Sequence, residues 1–82
     1  MSDRRLGTRL KEVRAAHGLT QAELALGVGV SRKTINTIEN SVFIPSTLLA
    51  LSLAKALGTS VEALFFLVED ETEGGRARPK PR

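Results

Sequence analysis

The stretch "LTQAELALGVGVSRKTINTIEN", residues 19–40, limits the fold more than any other part of the chain. Thr20 is a good helix N-cap, and Glu23 three residues later completes a capping box. Leu24 follows one turn on, and the helix is expected to fail between Gly27 and Gly29. Ser31 then caps a second helix that carries Ile35 and Ile38 on one side. Two short capped helices joined by a turn of about four residues form one local unit. Gly29 suits the turn because it reaches positive φ without a Cβ clash. Val30 can then point back between the two helices.

The rest of the chain supplies three more helices. Leu6, Leu10 and Val13 stand at i, i+4 and i+7, and Gly18 supplies the stop. The segment "SVFIPS" breaks the helix that Ser31 begins. Ser46 caps a fourth helix, in which Leu49, Ala50, Leu53, Ala54 and Leu57 share a face and Gly58 marks the end. Ser60 caps a short fifth one, "VEALFFL". Strand signals are weak, because no segment alternates with period two for long. The expected fold is all-α, a compact five-helix domain over residues 1–68. The remainder, 69–82, has almost nothing apolar to bury and is expected to be disordered. Its Glu69, Asp70, Glu71 and Glu73 cancel Arg76, Arg78, Lys80 and Arg82, so the net +3 belongs to the folded part.

Composition excludes several function classes. There is no cysteine, hence no disulfide or thiolate metal site. No apolar run approaches the roughly 20 residues of a membrane span. The N-terminus lacks a signal-peptide segment, so a cytoplasmic location is expected. Three Phe without Trp or Tyr make a stacked single-strand binder a poor fit. His17 is the only histidine and has no carboxylate or thiol constellation around it. No enzyme, no metal and no cofactor are expected.

The helix beginning at Ser31 carries the chemistry. At about 100° per residue, Lys33, Asn36, Thr37 and Asn40 lie opposite the isoleucines, with Arg32 and Thr34 on the flanks. All are hydrogen-bond donors or cations, and none is acidic. Arg and Lys match guanine O6 and N7, Asn matches adenine N6 and N7, and a Thr methyl meets the thymine methyl. Glu39 falls near the core-side edge, where its carboxylate needs a cation. Arg14 on the first helix is the candidate, either as a surface bridge or as a buried pair.

With its lead-in "RLKEVRAAHG" and its sequel "IPSTLLALSLAKALGTSVEALF", this stretch resembles the Cro/cI-type, lambda-repressor-like helix-turn-helix DNA-binding family. The likeness runs over residues 6 to 67 and is most specific at Thr20-Gln21, Glu23-Leu24-Ala25, Gly29-Val30-Ser31 and Ile38-Glu39-Asn40. It implies five helices and double-stranded DNA as partner. It implies that Gln21 bonds a phosphate and braces Arg32, and that Arg32, Lys33 and Thr37 reach base edges with Asn36 nearby. It implies a buried Arg14–Glu39 pair, and an Asn40 that holds the following loop against the DNA backbone. The candidate DNA-contacting set is Gln21, Ser31, Arg32, Lys33, Thr34, Asn36, Thr37 and Asn40. Two departures stand out. Ser41 sits where the family usually has Gly. Val42-Phe43-Ile44 replaces polar or basic residues, leaving that loop only its backbone N–H groups for phosphate.

Leu48 and Leu51 point away from the core face of the fourth helix. With Val42 and Ile44 they make an apolar patch, which on a small protein points to a partner. Operator readers of this class act as two-fold dimers. The expected homodimer contact draws on Ile44, Leu48, Leu51 and the fifth helix near Phe65 and Phe66. The function expected is a transcriptional regulator, a dimeric repressor reading a palindromic operator. Alternatives are an antitoxin, a restriction–modification controller, or a protein-interaction module with this fold that no longer reads DNA and uses its apolar loop.

Overall fold

The computed structural model describes residues 5–68. The elements run β1 (Arg5–Thr8), α1 (Leu10–Ala16), α2 (Gln21–Val28), α3 (Arg32–Glu39), α4 (Thr47–Ala56), α5 (Val61–Leu64) and β2 (Phe65–Val68). The expected disorder of 69–82 lies outside the described residues.

Four helix starts follow the hydroxyl residues. Thr20 accepts from the Glu23 N–H at 3.0 Å, while the Glu23 carboxylate accepts from the Thr20 N–H at 2.8 Å. The hydroxyls of Ser31, Ser46 and Ser60 accept from the N–H three residues on. Each such bond satisfies one orphan donor of a helix N-terminus. Gly29 takes φ 77°, in the left-handed region, and ends α2 as expected.

Every helix sends at least one side chain to a common core. Leu10, Leu24, Ile35, Ile38, Leu53, Leu57 and Leu64 are fully buried. Val30 packs against them from the turn, so the angle between α2 and α3 is fixed by burial as well as by Gly29.

The fold is not strictly all-α. β1 and β2 form an antiparallel pair with Arg5 opposite Val68 and Thr8 opposite Phe65. Leu6, placed on the first helix by its spacing, belongs to β1, and α1 begins at Leu10. Thr8 separates the two, its hydroxyl accepting from the Leu10 N–H at 3.0 Å. The fifth helix is a single turn, and Phe65, Phe66 and Leu67 continue as strand. Each strand is held by a partner about 60 residues away along the chain, which local periodicity does not register. Gly7 lets the two strands carry the Phe66 ring close over the backbone: a Cβ on it would come too close to the ring, which would have to move. The guanidinium of Arg9 covers that ring, 4.3 Å from its centroid.

Candidate nucleic-acid interface

The orientation of α3 follows from its two isoleucines. Ile35 and Ile38 are 0% and 1% exposed, which turns the opposite side outward. Arg32, Lys33 and Asn40 are exposed, and Thr34, Asn36 and Thr37 are half-buried along the same helix. Several of these side chains have fixed poses. Ser31 Oγ lies 3.0 Å from Thr34 Oγ1, and the Thr37 hydroxyl donates to the Thr34 carbonyl at 2.9 Å. The proton of Thr37 is thus used within the helix, leaving its methyl and lone pairs for a ligand. The Asn40 amide donates to Asn36 Oδ1 at 3.2 Å. That bond leaves the NH₂ of Asn36 free to donate.

Behind this face lies a hydrogen-bonded relay. Arg14 Nε donates to Glu39 Oε2 at 2.6 Å and Nη2 to Oε1 at 3.1 Å, a bidentate pair. Arg14 Nη1 also donates to the Leu19 carbonyl at 2.8 Å. The Glu39 side chain is 2% exposed and that of Arg14 13%, so the carboxylate is shielded and the pair is largely buried rather than a surface bridge. Gln21 Nε2 donates to Glu39 Oε1 at 2.9 Å, and Arg32 Nη1 donates to Gln21 Oε1 at 3.3 Å. Glu39 can only accept, so it fixes which end of the Gln21 amide turns toward Arg32. A cation on the outward face is thereby aimed from the core. The Gln21–Glu39 link has no signature in the sequence, because the two residues stand 18 apart on different helices.

Electrostatics agree with this geometry. Burial alone would raise the Glu39 carboxyl. Hydrogen bonds from Arg14 and Gln21, with the charges of Arg14 and Lys11, outweigh it and hold the group below the ordinary glutamate range. The bond to Glu39 raises Arg14 further, against its own desolvation. Both stay ionised at neutral pH.

The loop after α3 differs from expectation. Ser41 takes φ 61°, left-handed for a residue with a Cβ. Its N–H donates to the Ile38 carbonyl at 3.0 Å, and that of Val42 to Thr37 at 2.8 Å. This is a Schellman cap, and the Phe43 N–H joins it on Thr37 at 3.2 Å. Two of the three N–H groups expected for phosphate, those of Val42 and Phe43, are therefore used to end the helix. The Asn40 side chain bonds Asn36 and makes no hydrogen bond to that loop. Of the residues expected at a dimer contact, Ile44, Leu48 and Leu51 are well exposed and Phe66 partly so. Phe65 turns into the core at 7% exposure, on β2 rather than on a helix.

Among the described residues, no group of three or more His, Cys, Asp or Glu is placed to hold a metal, and no helix is long and apolar enough to cross a membrane.

The chain is similar to known proteins over this same region. The helix-turn-helix family profile matches residues 10–64. An uncharacterized HTH-type transcriptional regulator of Methanocaldococcus jannaschii, MJ0272, is 46% identical over 63 residues, covering 77% of this chain and 96% of its own. Among solved structures, the restriction–modification controller protein C.AhdI from Aeromonas hydrophila superposes with a TM-score of 0.63 at 35% identity. That match covers 66% of this chain and 82% of C.AhdI. The clp gene regulator ClgR from Corynebacterium glutamicum gives the same TM-score and identity, but this chain spans only 57% of its length.

Proposed function

The chain belongs to the helix-turn-helix family of the Cro/cI type, a family of non-enzymatic DNA-binding transcriptional regulators, and from that premise we propose that it reads a specific double-stranded operator through α3 as a homodimeric repressor. The observation that carries this reading is the disposition of α3. Its isoleucines are sealed in the core while its outward side offers two cations, amides and hydroxyls with no acid.

Phosphates are met by the N–H groups at the start of α2 and α3, beside Gln21 and Ser31, and Lys33 reaches a base edge or the phosphate next to it. Arg32, held by Gln21, approaches a base edge in a preset pose. Asn36 offers donors and Thr37 a methyl, each suited to the major groove. Each good bidentate contact supplies about 1–3 kcal/mol of discrimination. The loop from Ser41 to Ile44 adds little, because the N–H groups of Ser41, Val42 and Phe43 are engaged in the helix cap. Occupying the operator excludes polymerase, and two copies on a two-fold site read a palindrome.

A second reading, a restriction–modification controller, is supported by the 82% coverage of C.AhdI. A nuclease or methyltransferase gene beside this one would favour it.

In-vitro selection of bound duplex tests the proposal. The expected product is an enriched palindrome, and Lys33→Glu abolishes its gel shift at low salt. If wild type retains no duplex at low salt, the chain is an interaction module instead.

A further inference from the structure

We propose that the basic arm "RARPKPR", residues 76–82, enters an A·T-rich minor groove beside the major groove that α3 is proposed to occupy. The inference rests on the DNA reading above and extends it to a second groove. Arg76, Arg78, Lys80 and Arg82 stand at every second position, with Ala77, Pro79 and Pro81 between them and no acid. In an extended chain, residues two apart share a side. Proline fixes φ and lacks an N–H, and the residue before it is kept away from helical angles. Pro79 and Pro81 therefore favour an extended arm with its cations along one edge, about 6–7 Å apart. A helix needs a major groove, about 12 Å wide, whereas a slender extended chain suits a minor groove of about 6 Å. Narrow A·T-rich minor grooves concentrate negative potential and draw in Arg and Lys.

The fold delivers the arm to that place. Val68, the last described residue, stands opposite Arg5 in the strand pair. Arg5 in turn lines a cleft with Ile38, Ser41 and Val42 at the end of α3. The chain therefore leaves the body beside the C-terminal end of α3. Residues 69–75 follow and end in Gly74 and Gly75. These seven residues reach at most about 23 Å, at about 3.3 Å each. Half a DNA turn, the step from a major groove to the next minor groove, is about 17 Å. The spacer is long enough.

Charge leaves the arm few other places to go. Among the described residues, Lys and Arg outnumber Glu by seven to four, and there is no Asp. The Glu39 carboxylate is taken by Arg14 and Gln21, and that of Glu23 by the Thr20 N–H. Glu12 and Glu62 remain, too few to receive four cations. The nearest competitor is the run Glu69, Asp70, Glu71 and Glu73. Phosphates repel that run, so contacts begin beyond Gly75. A duplex, with one charge per about 1.7 Å of axis, outcompetes it for the arm.

Gel-shift titration of the full chain tests the arm. The probes carry the selected palindrome, or a scrambled core, flanked by A·T, G·C or inosine·C pairs. Inosine lacks the N2 amino group that marks guanine in the minor groove, while its major-groove edge matches guanine. Wild type is expected to bind A·T and inosine·C flanks about tenfold tighter than G·C flanks. The variant Arg76→Ala/Arg78→Ala/Lys80→Ala/Arg82→Ala is expected to lose that preference and to lower the slope of log K against log salt by about three to four. It should keep the choice of palindrome over scrambled core and the helical circular dichroism spectrum. Equal wild-type affinity for all three flanks overturns the inference, even if the slope falls, because the arm then touches phosphates alone. Inosine·C flanks that behave like G·C also overturn it, since the reading would lie in the major groove. A flank preference that survives in the variant does so too. If the palindrome binds no better than the scrambled core while the flank preference depends on the arm, the arm stands and the reading through α3 falls. A palindrome bound equally with every flank does the reverse, and a wild type that retains none of the probes overturns both.

Discussion

Replacing Glu39 by Gln should cost the domain a large part of its stability. The carboxylate accepts two bonds from Arg14 and one from Gln21, and its side chain is 2% exposed. A glutamine keeps the shape but offers one oxygen and one NH₂. Wherever that NH₂ turns, it faces a donor. Arg14 keeps the Leu19 carbonyl and one bond to the remaining amide oxygen, but loses the other bond and its charged partner. Breaking a buried pair from one side costs roughly 3–5 kcal/mol. Arg14 retains some access to water, so the low end, about 3 kcal/mol, is expected here. A domain of this size is stable by about 3–10 kcal/mol in total. Urea unfolding followed by circular dichroism measures the difference, and Tm should fall by more than about 12 °C. A loss under about 1 kcal/mol, the worth of an exposed pair, would refute the idea that this ion pair is buried and structural. The acid limb gives a second readout. The folded-state pKa of Glu39 is depressed. Its contribution is therefore fully present above the ordinary glutamate value, about 4.3, and is lost as pH falls through the lower folded value. Glu39→Gln should flatten the stability profile in that window and leave it parallel to wild type above it.

Other perturbations separate the remaining devices. Ser41→Gly should stabilise the domain by about 0.5–1 kcal/mol in urea titrations, since relief of left-handed strain exceeds the extra freedom of an unfolded glycine; no gain would mean that φ 61° is not strained there. Thr20→Ala should lose about 1 kcal/mol with the capping box, and an unchanged unfolding midpoint would count against that cap. Gly7→Ala should displace the Phe66 ring from under Arg9 and cost about 1 kcal/mol, visible as shifted Phe66 ring protons in NMR spectra; unmoved resonances would contradict the packing. Lys33→Ala should lower duplex affinity and reduce the slope of log K against log salt by about one, and an unaltered slope would remove Lys33 from the phosphate contacts.

Much of this molecule was legible before any coordinates, because helices announce themselves locally. Thr20, Ser31, Ser46 and Ser60 mark their starts with side-chain oxygens. The buried positions of α2 to α4 recur at helical spacing. The outward side of α3 follows from two isoleucines alone. The strands did not announce themselves, since Arg5–Thr8 and Phe65–Val68 are four residues each and depend on one another across the whole domain. The Arg14–Glu39 pair was anticipated, but the insertion of Gln21 between it and Arg32 was not. That link depends on how α2 crosses α3 and on which end of an amide turns which way. The loss of free N–H groups after Asn40 was likewise hidden. Nothing in "SVFI" states that its backbone folds back onto Thr37.

The central claim is that α3 lies in a duplex groove. NMR titration of ¹⁵N-labelled protein with its selected duplex, at low salt, tests this most directly. The account predicts the largest amide shifts from Ser31 to Asn40 and at Gln21, with β1, β2 and α5 little changed by the DNA itself. Shifts confined to other elements, with α3 unmoved at saturation, would contradict it.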